Sequence, residues 1–233
     1  MTIELFDLAG DNEKILFGPY CWRVKMSLMH KGIDFNVNPW RFSDKSATAD
    51  SGFAAVPIIK DGDKWLGDSW DIVQYLDEQY PDKPLIGDAN QKAEIEDFIN
   101  TCQTQVLPAV VPLAILQVHN LLDSESQTYF RETREAALGN QLENINAEPE
   151  VAKANLAEAL SGFNATLTNQ SFFGGEEPNY ADYALFGLLK WADVVSAYRP
   201  IDDDSVVGKW FVSIEQRHDG YAANAATIRN QAA

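Results

Sequence analysis

Apolar residues in this chain keep one rhythm up to residue 80 and another after it. The stretch "IELFDL", residues 3 to 8, alternates apolar with polar side chains, the two-residue period of a strand. Gly18 and Pro19 then read as a helix start, since glycine is tolerated at an N-cap and proline is favoured at the first helical position. Trp22, Met26 and Met29 recur at helical spacing, and Gly32 stops the run after His30 and Lys31. "IDFNV", residues 33 to 37, alternates again and completes a β-α-β unit, expected to be parallel and right-handed. "VPIIKDGDKWLG", residues 56 to 67, predicts two short strands joined by an Asp-Gly turn. Ser69 is the expected N-cap of a helix whose buried face carries Ile72, Val73, Leu76 and Tyr80, with Pro81 as its stop.

No strand pattern follows. Residues 1–80 therefore form an α/β unit in the order βαβ-ββα, the thioredoxin-like arrangement. Residues 81–90 are rich in Pro and Gly and read as a linker, and residues 91–233 as an all-α helical-bundle domain. Ile95, Phe98, Ile99, Cys102 and Val106 make one helical stripe, which Pro108 and Pro112 should kink. "YFRETREAALGNQLENI" and "VAKANLAEALSGFNATL" each predict a helix. "NYADYALFGLLKWADVV" is apolar nearly all round, so it belongs in the core, and Asn179 with Asp182 resembles a capping box.

Charge and cysteine usage narrow the function. With 18 basic against 35 acidic residues the formal charge is −17, which argues against nucleic acid and against anionic membrane surfaces. "MTIELFDLAGDNEK" lacks a signal-peptide pattern, and "VLPAVVPLAIL" is too short to span a bilayer and holds two prolines. Cys21 and Cys102 do not make a disulfide framework, so a reducing cytoplasmic location is the default; a single bridge between them is the alternative. No Cys/His grouping has metal-ligand spacing, so no metal is expected. Gly174-Gly175 reads as a turn, because the strand and helix of a phosphate loop are missing around it.

A thioredoxin-like unit followed by a helical domain resembles the cytosolic glutathione transferases over the whole chain. The points of resemblance are "VP" before the hairpin, "DS" opening the third helical pattern, "PYCWRVKMSLMHKGIDFNV" and "NYADYALFG". "WRVKMSLMHKG" with "FRETREAALGNQLENI" is most similar to the bacterial lignin β-etherases and a related fungal class. The resemblance implies a cis proline at Pro57, which leaves the backbone of Val56 free to pair with the cysteinyl part of glutathione. It implies that Asp68 accepts the γ-glutamyl ammonium, while Ser69 and the helix start behind it receive the γ-glutamyl carboxylate. By position and charge, Arg41 is the candidate for the glycyl carboxylate, with Lys45 in reserve. The apolar, aromatic second substrate would lie between the domains, near Tyr20, Trp40, Ile115 and His119; His30 and His218 read as surface residues. The resemblance also implies a homodimer.

At one point the chain departs from the pattern. The related classes place a serine directly before the helix proline to hold the glutathione thiolate, and here that position is Gly18. Three substitutes remain: the N–H groups of Tyr20 and Cys21 at the helix start, with Gly18 letting the ligand close; the Cys21 thiol; or the Tyr20 hydroxyl. Cys21 can equally be a small buried hydrophobe. The functions that follow are a glutathione transferase acting on an apolar electrophile, with glutathione-dependent ether cleavage as one form; a non-catalytic glutathione-binding protein; or a thiol reductase using Cys21.

Overall fold

The computed structural model describes residues 2–231. Strand β1 (Ile3–Leu8) leads through α1 (Pro19–Lys31) to β2 (Phe35–Trp40), and β3 (Ile58–Asp61) and β4 (Lys64–Gly67) lead to α2 (Ser69–Gln79). The strands form one sheet in the order β2-β1-β3-β4. β1 and β2 are parallel, from Ile3 opposite Phe35 to Leu8 opposite Trp40, and β3 is antiparallel to β1 and to β4. β2 extends three residues past "IDFNV" because this pairing continues along the whole of β1. Ile3, Leu5 and Ile59 on one sheet face pack against Val24 and Leu28 of α1 and Ile72 and Leu76 of α2.

The cap of α2 differs from expectation. Asp68, not Ser69, is the N-cap: its carboxylate accepts from the Trp70 and Asp71 N–H groups at 2.7 and 3.4 Å. Ser69 is the first helical residue and is buried.

The second unit opens with α3 (Ala89–Thr101), capped by Asp88 and Gln91 in a reciprocal box. It passes through a π-helical stretch (Cys102–Val106) into α4 (Leu107–Leu121). The expected kink at Pro108 takes this form. Proline lacks an N–H and crowds the carbonyl of the preceding turn, and a widened turn just before it relieves both demands. Pro112 is accommodated inside α4. By length and apolar content the 33-residue run could cross a membrane; here Val110, Leu113, Ala114 and Val118 of α4 pack into the core against α9 and α7.

α5 (Ser124–Leu138) stops at Gly139, whose φ of 66° is left-handed, so "YFRETREAALGNQLENI" divides into α5 and a short α6 (Leu142–Ile145). "VAKANLAEALSGFNATL" likewise divides into α7 (Pro149–Leu160) and α8 (Asn164–Asn169) around a 3-10 turn. α9 (Tyr180–Val195) is buried at every residue and carries the expected Asn179/Asp182 box. α10 (Val206–Glu215) packs nearby, and its Glu215 pairs with the buried Lys190 at 2.6 Å. α9 also docks the two units together, lying along α1. Gly187 makes that approach possible, since a Cβ there would collide with the Pro19 carbonyl and the Arg23 stem.

Candidate active site

A cleft of about 1070 Å³ runs between the two units. Val56, Pro57, Asp68 and Ser69 line one wall, and the start of α1 enters at Pro19 and Tyr20. The opposite wall is apolar and aromatic, with Ile115 and Val118 from α4 and Tyr129 and Phe130 from α5. The peptide bond between Val56 and Pro57 is cis. Sheet pairing of β3 begins at Ile58, so Val56 stands outside the ladder.

The environment of Gly18 corrects the simplest reading of it. Gly18 is the N-cap of α1, at φ −60° and ψ 114°, and offers no side-chain cap. Its missing side chain does not face the cleft. A Cβ built there would lie 2.5 Å from Asp7 Oδ1, 2.5 Å from Cys21 Sγ and 2.9 Å from Cys21 Cβ, all on the interior side. The glycine makes room for Asp7 and Cys21, and not for a ligand sulfur, and Gly18 is not among the residues lining the cleft.

Beneath it lies a fully buried ion pair, Lys25 Nζ to Asp7 Oδ2 at 2.7 Å. Asp7 Oδ1 accepts from the Gly18 N–H at 3.1 Å. The Lys25 ammonium also stands 3.3 Å from the Trp22 ring centroid. Asp7 thereby fixes the entry of α1, and Lys25 neutralises a carboxylate that would otherwise oppose an anion at the helix start.

The other candidates separate. Cys21 is 0% exposed, points into the interior with Sγ 3.8 Å from the Phe6 carbonyl, and does not line the cleft. Burial, with Asp7 beside it, pushes its thiol well above the ordinary range, the opposite of a reactive cysteine. Cys102 is also free and buried, its thiol pushed up to about 12 by burial. Tyr20 does line the cleft, but its hydroxyl donates across the domains to Gln103 Oε1 at 3.2 Å. Arg41 turns away to Glu13 at 3.0 Å and to the Asp11 carbonyl, whereas Lys45 stands at the cleft wall. Trp40 and Ile115 line the cleft and His119 does not; His119 bonds to Asn120.

His30 and His218 are not free surface residues. His30 Nδ1 meets the Tyr183 hydroxyl at 2.9 Å, and both histidines line a second cavity. Burial, aided by Lys31, lowers His30 to about 4.

Comparison with known proteins decides the family. Models of the glutathione S-transferase N-terminal and C-terminal domains match residues 14–84 and 94–205. The chain belongs to the glutathione S-transferases. Glutathione S-transferase U28 of Arabidopsis thaliana is 25% identical over 194 residues, 79% of this chain and 75% of the relative. Among solved structures, glutathione transferase GSTFuA3 of Phanerochaete chrysosporium superposes with a TM-score of 0.80 at 24% identity, over 95% of this chain and 97% of that one. A glutathione S-transferase of Ceriporiopsis subvermispora, solved in complex with glutathione, gives 0.74 at 24% identity, over 96% and 94%.

In this transferase-family chain the structure adds cleft residues that the sequence did not single out. Arg23 lines the cleft although it is only 2% exposed. Tyr180, at the N-terminus of α9, stacks its ring 5.5 Å from that of Trp70 on α2. Arg23 lies one turn after Pro19, so helical spacing from the cleft could have pointed to it. Tyr180 sits beside a capping motif and is hidden by its own apolar run.

Proposed function

We propose that this chain binds glutathione along Val56, Pro57, Asp68 and Ser69 and directs its thiolate at an apolar, aromatic electrophile held against α4 and α5. The observation that carries this reading is the cleft itself, with the cis Val56-Pro57 bond, Asp68 and Ser69 on one wall, aromatic side chains on the other, and a helix start without a side-chain cap between them.

In this reading the Tyr20 and Cys21 N–H groups and the positive end of α1 stabilise the sulfur anion. The glutathione S–H gives its proton to solvent, the sulfur forms a bond to the electrophilic carbon, and the leaving group departs with the electron pair of the broken bond. Ether cleavage is the same step with an alkoxide or phenoxide leaving. Lys45 replaces Arg41 as the partner of the glycyl carboxylate. Homodimerisation and a cytoplasmic location belong to the same reading, the first open to test by sedimentation.

Titration calorimetry with glutathione tests the binding half. Ser69→Ala and Lys45→Ala each weaken binding several-fold, Arg41→Ala does not, and Cys21→Ala retains both binding and turnover. Equal loss in Arg41→Ala and Lys45→Ala would return the glycyl site to Arg41. A panel of aryl halides, enones and β-aryl ethers, followed for thioether product, tests the chemistry.

A second reading, a non-catalytic glutathione-binding protein, is favoured by one observation: Gly18 supplies no side-chain donor, and a carboxylate, Asp7, lies beside it. Binding without turnover of any electrophile in the panel would select it.

A further inference from the structure

Arg23 is a buried cation without an anion. It is 2% exposed, its Nε and Nη2 atoms have no hydrogen-bond partner, and it takes part in no ion pair among the described residues. Its guanidinium lies 4.6 Å from the Tyr20 ring centroid, a contact that gives Nε and Nη2 no acceptor. The Tyr180 hydroxyl, 0% exposed, is a neighbour of Arg23 and Ser69 and is also unpartnered in bonding geometry. Gly187 of α9 completes the arrangement by leaving space for the Arg23 stem. Arg23, Tyr180 and Ser69 all line the cleft.

Other buried cations in this chain are paired: Lys25 with Asp7, Lys31 with Asp77, Lys190 with Asp193 and Glu215. An unpaired buried guanidinium and an unpaired phenol are costly, and both residues lie at the cleft lining with donors unused. Planar N–H donors beside an O–H donor suit a carboxylate or a similar oxyanion. Arg23 belongs to α1 of the first unit and Tyr180 to α9 of the second, so this pair of donors stands where the two units meet. Trp40, Phe42, Tyr129 and Phe130 line the same cleft.

We propose that Arg23 and the Tyr180 hydroxyl form an oxyanion subsite, so that the second ligand of this cleft is an aromatic acid and not a neutral arene. The inference deepens the transferase reading by naming its substrate class, but binding alone tests it, without glutathione or turnover.

The experiment measures the affinity of 1-naphthoate and its neutral isostere 1-naphthamide for the wild-type chain, Arg23→Met and Tyr180→Phe. The wild type is expected to prefer the carboxylate by about tenfold or more, the worth of a charged hydrogen bond. Arg23→Met removes that preference and leaves naphthamide affinity unchanged, and Tyr180→Phe reduces it. Arg23→Met is also expected to melt no lower than the wild type in the absence of ligand, since it removes an unpaired charge and keeps an apolar stem. Absence of the preference in the wild type overturns the inference whether or not the variants fold. So does its persistence in Arg23→Met. If Arg23→Met weakens glutathione binding and leaves the naphthoate preference intact, the anion received is the tripeptide's own and the inference fails. If glutathione neither binds nor reacts while the Arg23-dependent preference remains, the transferase reading fails and the subsite stands.

Discussion

Replacing Gly18 with alanine sets opposing effects against each other, and the structure decides which wins. The backbone at Gly18, φ −60° and ψ 114°, is one that alanine adopts freely. On chain entropy alone Gly18→Ala should stabilise by about 0.4–1 kcal/mol. The added methyl, however, would sit 2.5 Å from Asp7 Oδ1 and from Cys21 Sγ, both fully buried. Neither group can swing into solvent, and moving Asp7 disturbs its 2.7 Å pair with Lys25 and its 3.1 Å bond from the Gly18 N–H. Overpacking of this kind costs about 1–3 kcal/mol, and loss of a cap-tolerant glycine adds to it. The expected outcome is a net destabilisation of about 1–3 kcal/mol, read as a lower urea midpoint with unchanged slope. Cys21→Ala in the same chain relieves one of the close contacts and should recover at least about 0.5 kcal/mol as coupling. A Gly18→Ala variant as stable as the wild type, or more stable, would refute the inward-facing geometry. Gly18→Ser carries the same penalty and is not expected to raise turnover, because its Cβ starts from the interior side.

Removing one partner of the buried pair, as in Lys25→Met, leaves the Asp7 carboxylate uncompensated and should cost about 3–5 kcal/mol in urea unfolding; adding Asp7→Asn should restore much of it. Neither cysteine should react with an aromatic disulfide reagent at pH 8 in the native protein, since both thiols are buried and their ionisation lies above the ordinary range; both should react once the protein is unfolded. His30 is held neutral in the fold, lowered from 6.5 to about 4, so the unfolded chain binds more protons between those values. Stability should therefore be level above pH 6.5 and fall as pH drops toward 4, by on the order of 1 kcal/mol once solvent screening of this half-buried ring is counted. His30→Gln should reduce that slope in urea midpoints measured across the range, with His218, also lowered by burial, keeping a share of it.

Local signals in the sequence located most elements well and side-chain directions poorly. Alternation in "IELFDL" and the Asp-Gly turn placed β1, β3 and β4, because short strands on a half-buried sheet leave a period-two trace. The box at Asn179 placed the start of α9 because its partners are three residues apart. Breaks at Gly139 and at Ser161 were hidden inside runs of good helix formers. The lining of the candidate site was legible where it rests on local motifs, Pro57, Asp68 and Ser69, and not where it depends on contacts made across the fold. Gly18 reads as an opening toward a ligand until β1 brings Asp7 beneath it, eleven residues away in sequence. Arg23 reads as one more charged helix residue until α9 closes over it. Arg41 and Lys45 differ only in which way a loop turns, and Glu13 takes the first of them.

The central claim is that the start of α1 can ionise a bound thiol with no side-chain donor at position 18. Thiolate absorbance of bound glutathione, followed against pH at saturating ligand in the wild type, tests it most directly. The account expects the bound thiol to ionise clearly below the ordinary thiol value of about 8.5, and to do so equally in Cys21→Ala. Glutathione that binds saturably but keeps its proton up to that value would contradict it.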